Sequence, residues 1–277
     1  MTVIPFVKMH GAANDFVVVD RHDLAAGSPR PAWIVALCDR RRGVGADGLL
    51  VLEPASGHDF GMRYWNRDGR PAEFCGNGAR CLARFALDRG LGRDGVVRFT
   101  TAVGPMSARR EPDGQVALAF GRIERAGEPL TLEAGGRRFT GRVVRAGVPH
   151  FVTPVVDLAA APLDTWGRAL RSHPHFGAEG ANVDLVEPGA GGIAMRTFER
   201  GVEGETLACG SGAMATALWW AAEGAASPVS VRTAGGDTLS VAFAPRDGAW
   251  DVTLIGPAAV AFTGVWDDAA QAAVDKG

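Results

Sequence analysis

Lysine is nearly missing from this chain. Of 29 basic residues only Lys8 and Lys276 are lysines, which disfavours a pyridoxal phosphate enzyme, since that chemistry needs a lysine for its Schiff base and only Lys8 is placed to offer one. Cysteine is sparse too. Cys38, Cys75, Cys81 and Cys209 contain no C-x-x-C pair, so neither a zinc site nor a disulfide framework is indicated and four free thiols are expected. No apolar run approaches the length of a membrane span, and the opening MTVIPFVKMHG lacks the charged region, long apolar region and cleavage site of a secretory signal. There is no dense basic cluster and the formal net charge is −2, which speaks against nucleic acid or a membrane surface as a partner. What is present, 47% apolar and 22% charged residues over 277 positions, suits a soluble, cytoplasmic globular protein with room for two domains.

Two stretches organise the rest. Residues 73–89 read EFCGNGARCLARFALDR and residues 205–224 read ETLACGSGAMATALWWAAEG. In each, a thiol precedes Gly-polar-Gly and an Ala-rich run of helix formers that closes on a glycine, so each is expected to be a loop, a cysteine and a helix. A helix N-terminus offers unpaired N–H groups and partial positive charge, which lower a thiol's pKa and bind anions such as a carboxylate. The second helix, with Ala213, Met214, Ala217, Leu218, Trp219, Trp220 and Ala221, has almost no polar face and is expected to be buried.

These stretches belong to an internal repeat. Cys209 follows Cys75 by 134 residues, and nearly the same shift superposes MRYWN at 62 on MRTFE at 195, TTAVG at 100 on RTAGG at 232, Asp113-Gly114 on Asp247-Gly248, GLLVLE at 48 on NVDLVE at 182, and HGAANDFV on AGVPHFV. The expected fold is therefore α/β (α+β): two pseudo-symmetric domains, each a mainly antiparallel sheet or barrel around a central helix. The boundaries are placed at 1–121 and 122–262, with 263–277 either packed back on the first domain or frayed. Within the first half, alternating and then continuous apolar residues suggest two strands around a turn at 11–14, and Pro31 starts a helix reaching about 39 with Trp33, Ile34 and Leu37 at helical spacing. Gly43, Gly45 and Gly48 read as turn residues before a strand at 49–53. They do not make a nucleotide loop, because no Lys-Ser/Thr follows them.

Equivalent positions pair Asn14 with Val148, Gly48 with Asn182, Asn66 with Arg200 and Asn77 with Ser211, while the two thiols match in type. Symmetric chemistry on an asymmetric ligand is the expectation. Thiols on opposite sides of one carbon suit a two-base racemisation, in which one thiolate removes the α-proton and the other thiol delivers one to the opposite face. Helix termini and exclusion of water would then stabilise the developing charge.

The segments HGAANDF (10–16), GVGADG (43–48), NRDGRPAEFCGNGARC (66–81) and ERGVEGETLACGSG (199–212), in this order, resemble the diaminopimelate epimerase family over nearly the whole chain. The resemblance implies a cofactor-independent isomerase interconverting LL- and meso-diaminopimelate for lysine and peptidoglycan synthesis, in a family that is often dimeric. By position it makes Cys75 and Cys209 the acid/base pair, and Gly76, Asn77, Gly210 and Ser211 donors to the reacting carboxylate. Asn14, Asn66, Asn182 and Arg200 would hold the distal amino-acid end, and Glu199 would contact substrate and, with His150, tune the thiols. The chain departs from the family pattern at Val148, where many members have Asn, at Gly48, where some have Gln, and at Ala12-Ala13, which replaces a frequent Leu-Gly. Bland readings stand beside these: Cys38 and Cys81 as small buried hydrophobes, His150 as a structural histidine, Asn14 and Asn66 as turn formers, Arg200 as a surface arginine. The rival functions are a two-cysteine racemase for another amino acid, of histidine or proline type, and a thiol redox-sensing or binding protein.

Overall fold

A computed structural model describes residues 3–24 and 29–267. The chain forms two compact units, one of residues up to Leu118 and from Pro257 on, the other Ala119–Gly256. In the first unit β1 (Val3–Gly11) and β2 (Asn14–Asp20) form a hairpin, followed by α1 (Pro31–Cys38), β3 (Gly48–Glu53), β4 (Phe60–Asn66), α2 (Gly76–Asp88), β5 (Val96–Thr101), β6 (Gly104–Arg110) and β7 (Val116–Ile123), which leads into the second. The second unit holds β8 (Leu130–Ala134), β9 (Arg137–Ala146), β10 (Val148–Pro154), α3 (Leu163–Arg171), β11 (Asn182–Gly189), β12 (Gly192–Glu199), β13 (Gly204–Thr206), α4 (Gly210–Ala222), β14 (Val229–Arg232), β15 (Thr238–Arg246) and β16 (Ala249–Gly256). The chain then returns to the first unit as β17 (Ala259–Asp267), antiparallel to β1. Of the terminal stretch 263–277, residues 263–267 thus complete β17, and 268–277 lie outside the described residues.

The repeat in the sequence reappears as a repeat of strand register. In the first unit β2 runs parallel to β3 with Phe16 opposite Gly48, and in the second β10 runs parallel to β11 with His150 opposite Asn182. β3 and β4 are antiparallel, as are β11 and β12; β4 and β5 are parallel, as are β12 and β14. Each unit is thus a mixed sheet with few helices. Helices α1 and α3 supply the crossovers for the β2–β3 and β10–β11 pairs, and α2 and α4 those for β4–β5 and β12–β14, as parallel neighbours require. Helix α3, which the sequence reading did not place, begins directly after Pro162 and carries Gly167 in its middle. Gly167 is needed there: a β-carbon would stand 2.5 Å from the side chain of Phe198.

Side-chain alternation explains the continuous apolar runs in β2 and β3. Phe16, Val18 and Leu50 face a core shared with Leu82 and Phe85 of α2, whereas Val17, Val19, Leu49 and Val51 face Ile34 and Leu37 of α1. In the second unit Leu163 and Leu170 of α3 pack with Phe151, Val183, Leu185 and Phe198. Gly212 through Trp219 of α4 are all buried, and Trp220 and Ala221 are half-buried. Both long helices end alike. Gly90 and Gly224 adopt left-handed backbone, and the N–H groups of Leu91 and Ala225 reach back to the carbonyls of Ala86 and Trp220, the closing bonds of a glycine-terminated helix. Gly48, expected in a turn, is the first residue of β3. A β-carbon there would meet the Trp65 carbonyl at 2.4 Å and the Tyr64 ring at 2.7 Å.

Candidate active site

Each cysteine is the N-cap residue of a 13-residue helix. Cys75 precedes α2 and Cys209 precedes α4, both in extended backbone, so the first N–H groups of each helix, on the Gly76-Asn77-Gly78 and Gly210-Ser211-Gly212 segments, gather near a sulfur. The small residues are required by what lies beneath. A β-carbon on Gly212 would stand 2.7 Å from Asp184 Oδ1, and one on Gly78 would stand 3.1 Å from Leu50.

In the first unit Cys75 Sγ donates to Asn14 Oδ1 at 3.4 Å, and Asn77 Nδ2 donates to the same oxygen at 3.3 Å. Asn14 Nδ2 in turn donates to Asp47 Oδ2 at 2.8 Å. Asn14 therefore stands beside the sulfur of its own unit. Asn66 is exposed at the end of β4, where its Oδ1 accepts the Tyr64 hydroxyl at 2.7 Å. Beneath Asn14 lies an ionic cluster that sequence reasoning did not find: Lys8 and Arg40 both pair with Asp15, and Arg40 also pairs with Asp47. Burial by itself raises the Asp15 carboxyl, but hydrogen bonds from Arg40 and Lys8 and their charges hold it well below the usual carboxylate range. Lys8, the one candidate Schiff-base lysine, is buried in this pairing and also donates to the Gly45 carbonyl.

In the second unit Cys209 Sγ accepts the Gly212 N–H at 3.4 Å and lies 3.4 Å from Ser211 Oγ. Burial raises its thiol well above the ordinary value, and the negative charges of Glu199 and Asp184 raise it further against the opposing hydrogen bonds from Ser211 and Gly212. Glu199 accepts from Thr206 Oγ1 at 2.9 Å, and its own pKa is raised by burial. His150 and Asp184, both fully buried, meet at 2.7 Å through Nδ1, and Asn182 Nδ2 lies 3.2 Å from His150 Nε2. Since a carboxylate only accepts, His150 Nδ1 carries the proton and Nε2 accepts from Asn182. Asn182 Oδ1 is then left for the backbone N–H of Arg200 at 2.7 Å. The Arg200 guanidinium lies 3.8 Å from the Glu179 carboxylate. Val148, the counterpart of Asn14, opens β10 without an amide. Asp184 was missed by sequence reasoning, although the period of two in β11 places it on the face that bears Asn182.

Thus within its own unit the structure brings Asn14 and Asn77 to Cys75, brings Ser211 to Cys209, and links His150 with Asn182. Asn66 and Arg200 are engaged elsewhere, with Tyr64 and Glu179. Among the described residues no helix is long and apolar enough to cross a membrane.

Comparison with known proteins adds identity to geometry. Residues 6–125 and 142–258 match the sequence profile of diaminopimelate epimerase. The chain is 38% identical over 250 residues to the diaminopimelate epimerase of Aquifex aeolicus, covering 86% of this chain and 89% of that protein. It is 39% identical to that of an Azoarcus species, over 94% and 98%. Among solved structures, a phenazine biosynthesis protein of the PhzF family from Enterococcus faecalis aligns with a TM-score of 0.72 at 17% identity, covering 96% of this chain and 99% of that one. A probable proline racemase from Agrobacterium radiobacter aligns at 0.70 and 18%, over 96% and 93%. At such identities these two establish a shared fold and nothing more.

Proposed function

The chain belongs to the diaminopimelate epimerase family and is an isomerase, and from that premise we propose how it inverts a stereocentre. The substrate is 2,6-diaminopimelate, interconverted between LL and meso forms as a precursor for lysine and peptidoglycan, in the cytoplasm and without a cofactor. Cys75 and Cys209 act as the acid/base pair: the thiolate of one removes the α-proton, and the thiol of the other returns a proton to the opposite face, with roles exchanged in the reverse direction. Gly76, Asn77, Gly210 and Ser211 hold the reacting carboxylate, whose charge grows as the α-carbon loses its proton. Asn14, Asn66, Asn182 and Arg200 take the distal amino-acid end, and the Arg200 guanidinium leaves Glu179 for the substrate's carboxylate.

The observation that carries this reading is the thiol at the N-cap of both 13-residue helices, each helix reached through the same strand order. Thiols need a base's strength to attack an α-proton, and Cys209 is held neutral in the free protein by burial, Glu199 and Asp184. An α-ammonium beside Glu199 offsets that negative charge and lowers the thiol's pKa when substrate is present. His150 serves by fixing Asn182.

The test is a panel of amino acids offered to the reduced protein in D2O without added cofactor. Deuterium should enter the α-position of diaminopimelate, with histidine and proline untouched. Exchange on histidine or proline and none on diaminopimelate would overturn the substrate and leave the fold in place.

A further inference from the structure

Two arginine brackets fix both asparagine amides beside Cys75. Arg40 Nη2 donates to Asp47 Oδ1 at 2.8 Å, and Asp47 Oδ2 accepts Asn14 Nδ2 at 2.8 Å. From the other side, buried Arg80 donates through Nη2 to Asn77 Oδ1 at 2.8 Å, and Asn77 Nδ2 donates to Asn14 Oδ1 at 3.3 Å. A guanidinium only donates and a carboxylate only accepts, so the direction of every bond in the chain from Arg40 to Arg80 is set by chemistry. The amide of Asn14 is left one orientation, with its oxygen toward the sulfur, 3.4 Å away.

We infer that Asp47, braced by Arg40, is a positioning residue for Cys75: by taking the Asn14 NH2 it aims the Asn14 carbonyl at the thiol. A carbonyl oxygen can accept from S–H but repels a thiolate, so the bracket makes the thiolate of Cys75 harder to form. Cys209 meets the opposite set, a backbone N–H and a hydroxyl, both able to donate to a thiolate. Of the two sulfurs, only Cys75 has a hydrogen-bond partner that opposes a thiolate; at Cys209 the opposition comes from burial and from Glu199 and Asp184. The inference rests on Cys75 being one of the two acid/base groups.

Asp47→Asn tests it. Arg40 claims the oxygen of the new amide, so its NH2 turns toward Asn14, at the cost of the long 3.3 Å bond from the Asp15 N–H. Asn14 then meets an NH2 on either side and can accept from only one without turning: giving its oxygen to the new amide gives up the long 3.3 Å bond from Asn77 Nδ2 and points its own NH2 toward the sulfur. Alkylation of Cys75 by iodoacetamide near neutral pH, read by peptide mass spectrometry, should rise about fivefold, the worth of one such hydrogen bond. In an Asn14→Ala background the same substitution should change the rate less than about twofold, because the route through the amide is gone. A similar rise in both backgrounds would show that Asp47 acts by its charge through space, and no rise in either would overturn the inference equally. Should Asp47→Asn fail to fold, Arg40→Leu decides. Asp47 remains an acceptor there, so the rate should stay within about twofold, whereas loss of a cation acting through space would slow it severalfold. Turnover of diaminopimelate by the wild-type protein is measured alongside: its absence with these alkylation results intact would sink the proposed reaction and leave the bracket standing.

Discussion

Asn14 and Val148 hold the same place in the two repeats, and the N-cap sulfur of each unit meets different chemistry. That difference was legible as a list of unequal partners, Asn14 with Val148 and Asn77 with Ser211, but not as a geometry. The ionic cluster of Lys8, Asp15, Arg40 and Asp47 was not legible at all, because its members lie on different elements and charged residues in sequence read first as solvated surface. Asn66 shows how a single hydroxyl sets an amide. Tyr64→Phe removes the donor to its Oδ1, so KM for diaminopimelate should rise about fivefold while kcat changes less, corresponding to about 1 kcal/mol of binding. Equal losses in kcat and kcat/KM would instead place Tyr64 in the chemical step.

At the scale of elements, α2 and α4 could be read nearly end to end, since Cys, Gly-polar-Gly and a closing glycine each have one structural meaning there. Helix α3 could not, because the reason for Gly167 is the Phe198 side chain packed against it from another element. The β1–β2 hairpin carries an unusual turn. Ala12 and Ala13 both adopt left-handed backbone, with φ of 54° and 63°, a conformation that costs a residue with a β-carbon about 1–2 kcal/mol and that glycine takes freely. Ala13→Gly should therefore stabilise the protein by about 1 kcal/mol in urea unfolding. Because Asn14 starts β2 immediately after this turn, the substitution should leave Cys75 alkylation unchanged if the turn only connects the strands. A stability loss would mean that the turn's conformation is not strained.

For the whole molecule, three thiols share one consequence of burial. Cys38 and Cys81 are each pushed up to about 12, and Cys209 is raised by burial and by Glu199 and Asp184. In the unfolded chain these thiols ionise near 9.0. With folded values above unfolded ones, their contribution is complete below that pH and is lost as pH rises, by about 1.4 kcal/mol per pH unit for each thiol that stays neutral. Urea unfolding at about pH 8 and about pH 10 should show the decline, and Cys38→Ala should flatten it; pH-independent stability would contradict these burials. The pairing of β17 with β1, foreseen only as the option that 263–277 packs back on the first domain, has its counterpart in β8 against β9, but β17 ends the chain whereas β8 precedes β9, so a constant shift along the sequence does not reveal it. The β1–β17 pair leaves Val3, Val260, Phe262 and Val265 exposed, apolar side chains that would suit the dimer the family resemblance implies. Light scattering should give twice the chain mass, and Phe262→Glu should halve it; a wild-type monomer would refute the assembly.

The central claim is the division of one proton exchange between two sulfurs, and inversion of LL-diaminopimelate in D2O tests it most directly. NMR of the wild-type product should show deuterium at the inverted α-carbon, whereas Cys75→Ala and Cys209→Ala should each yield no meso product. Wild-type rates of inversion in either variant would contradict the account.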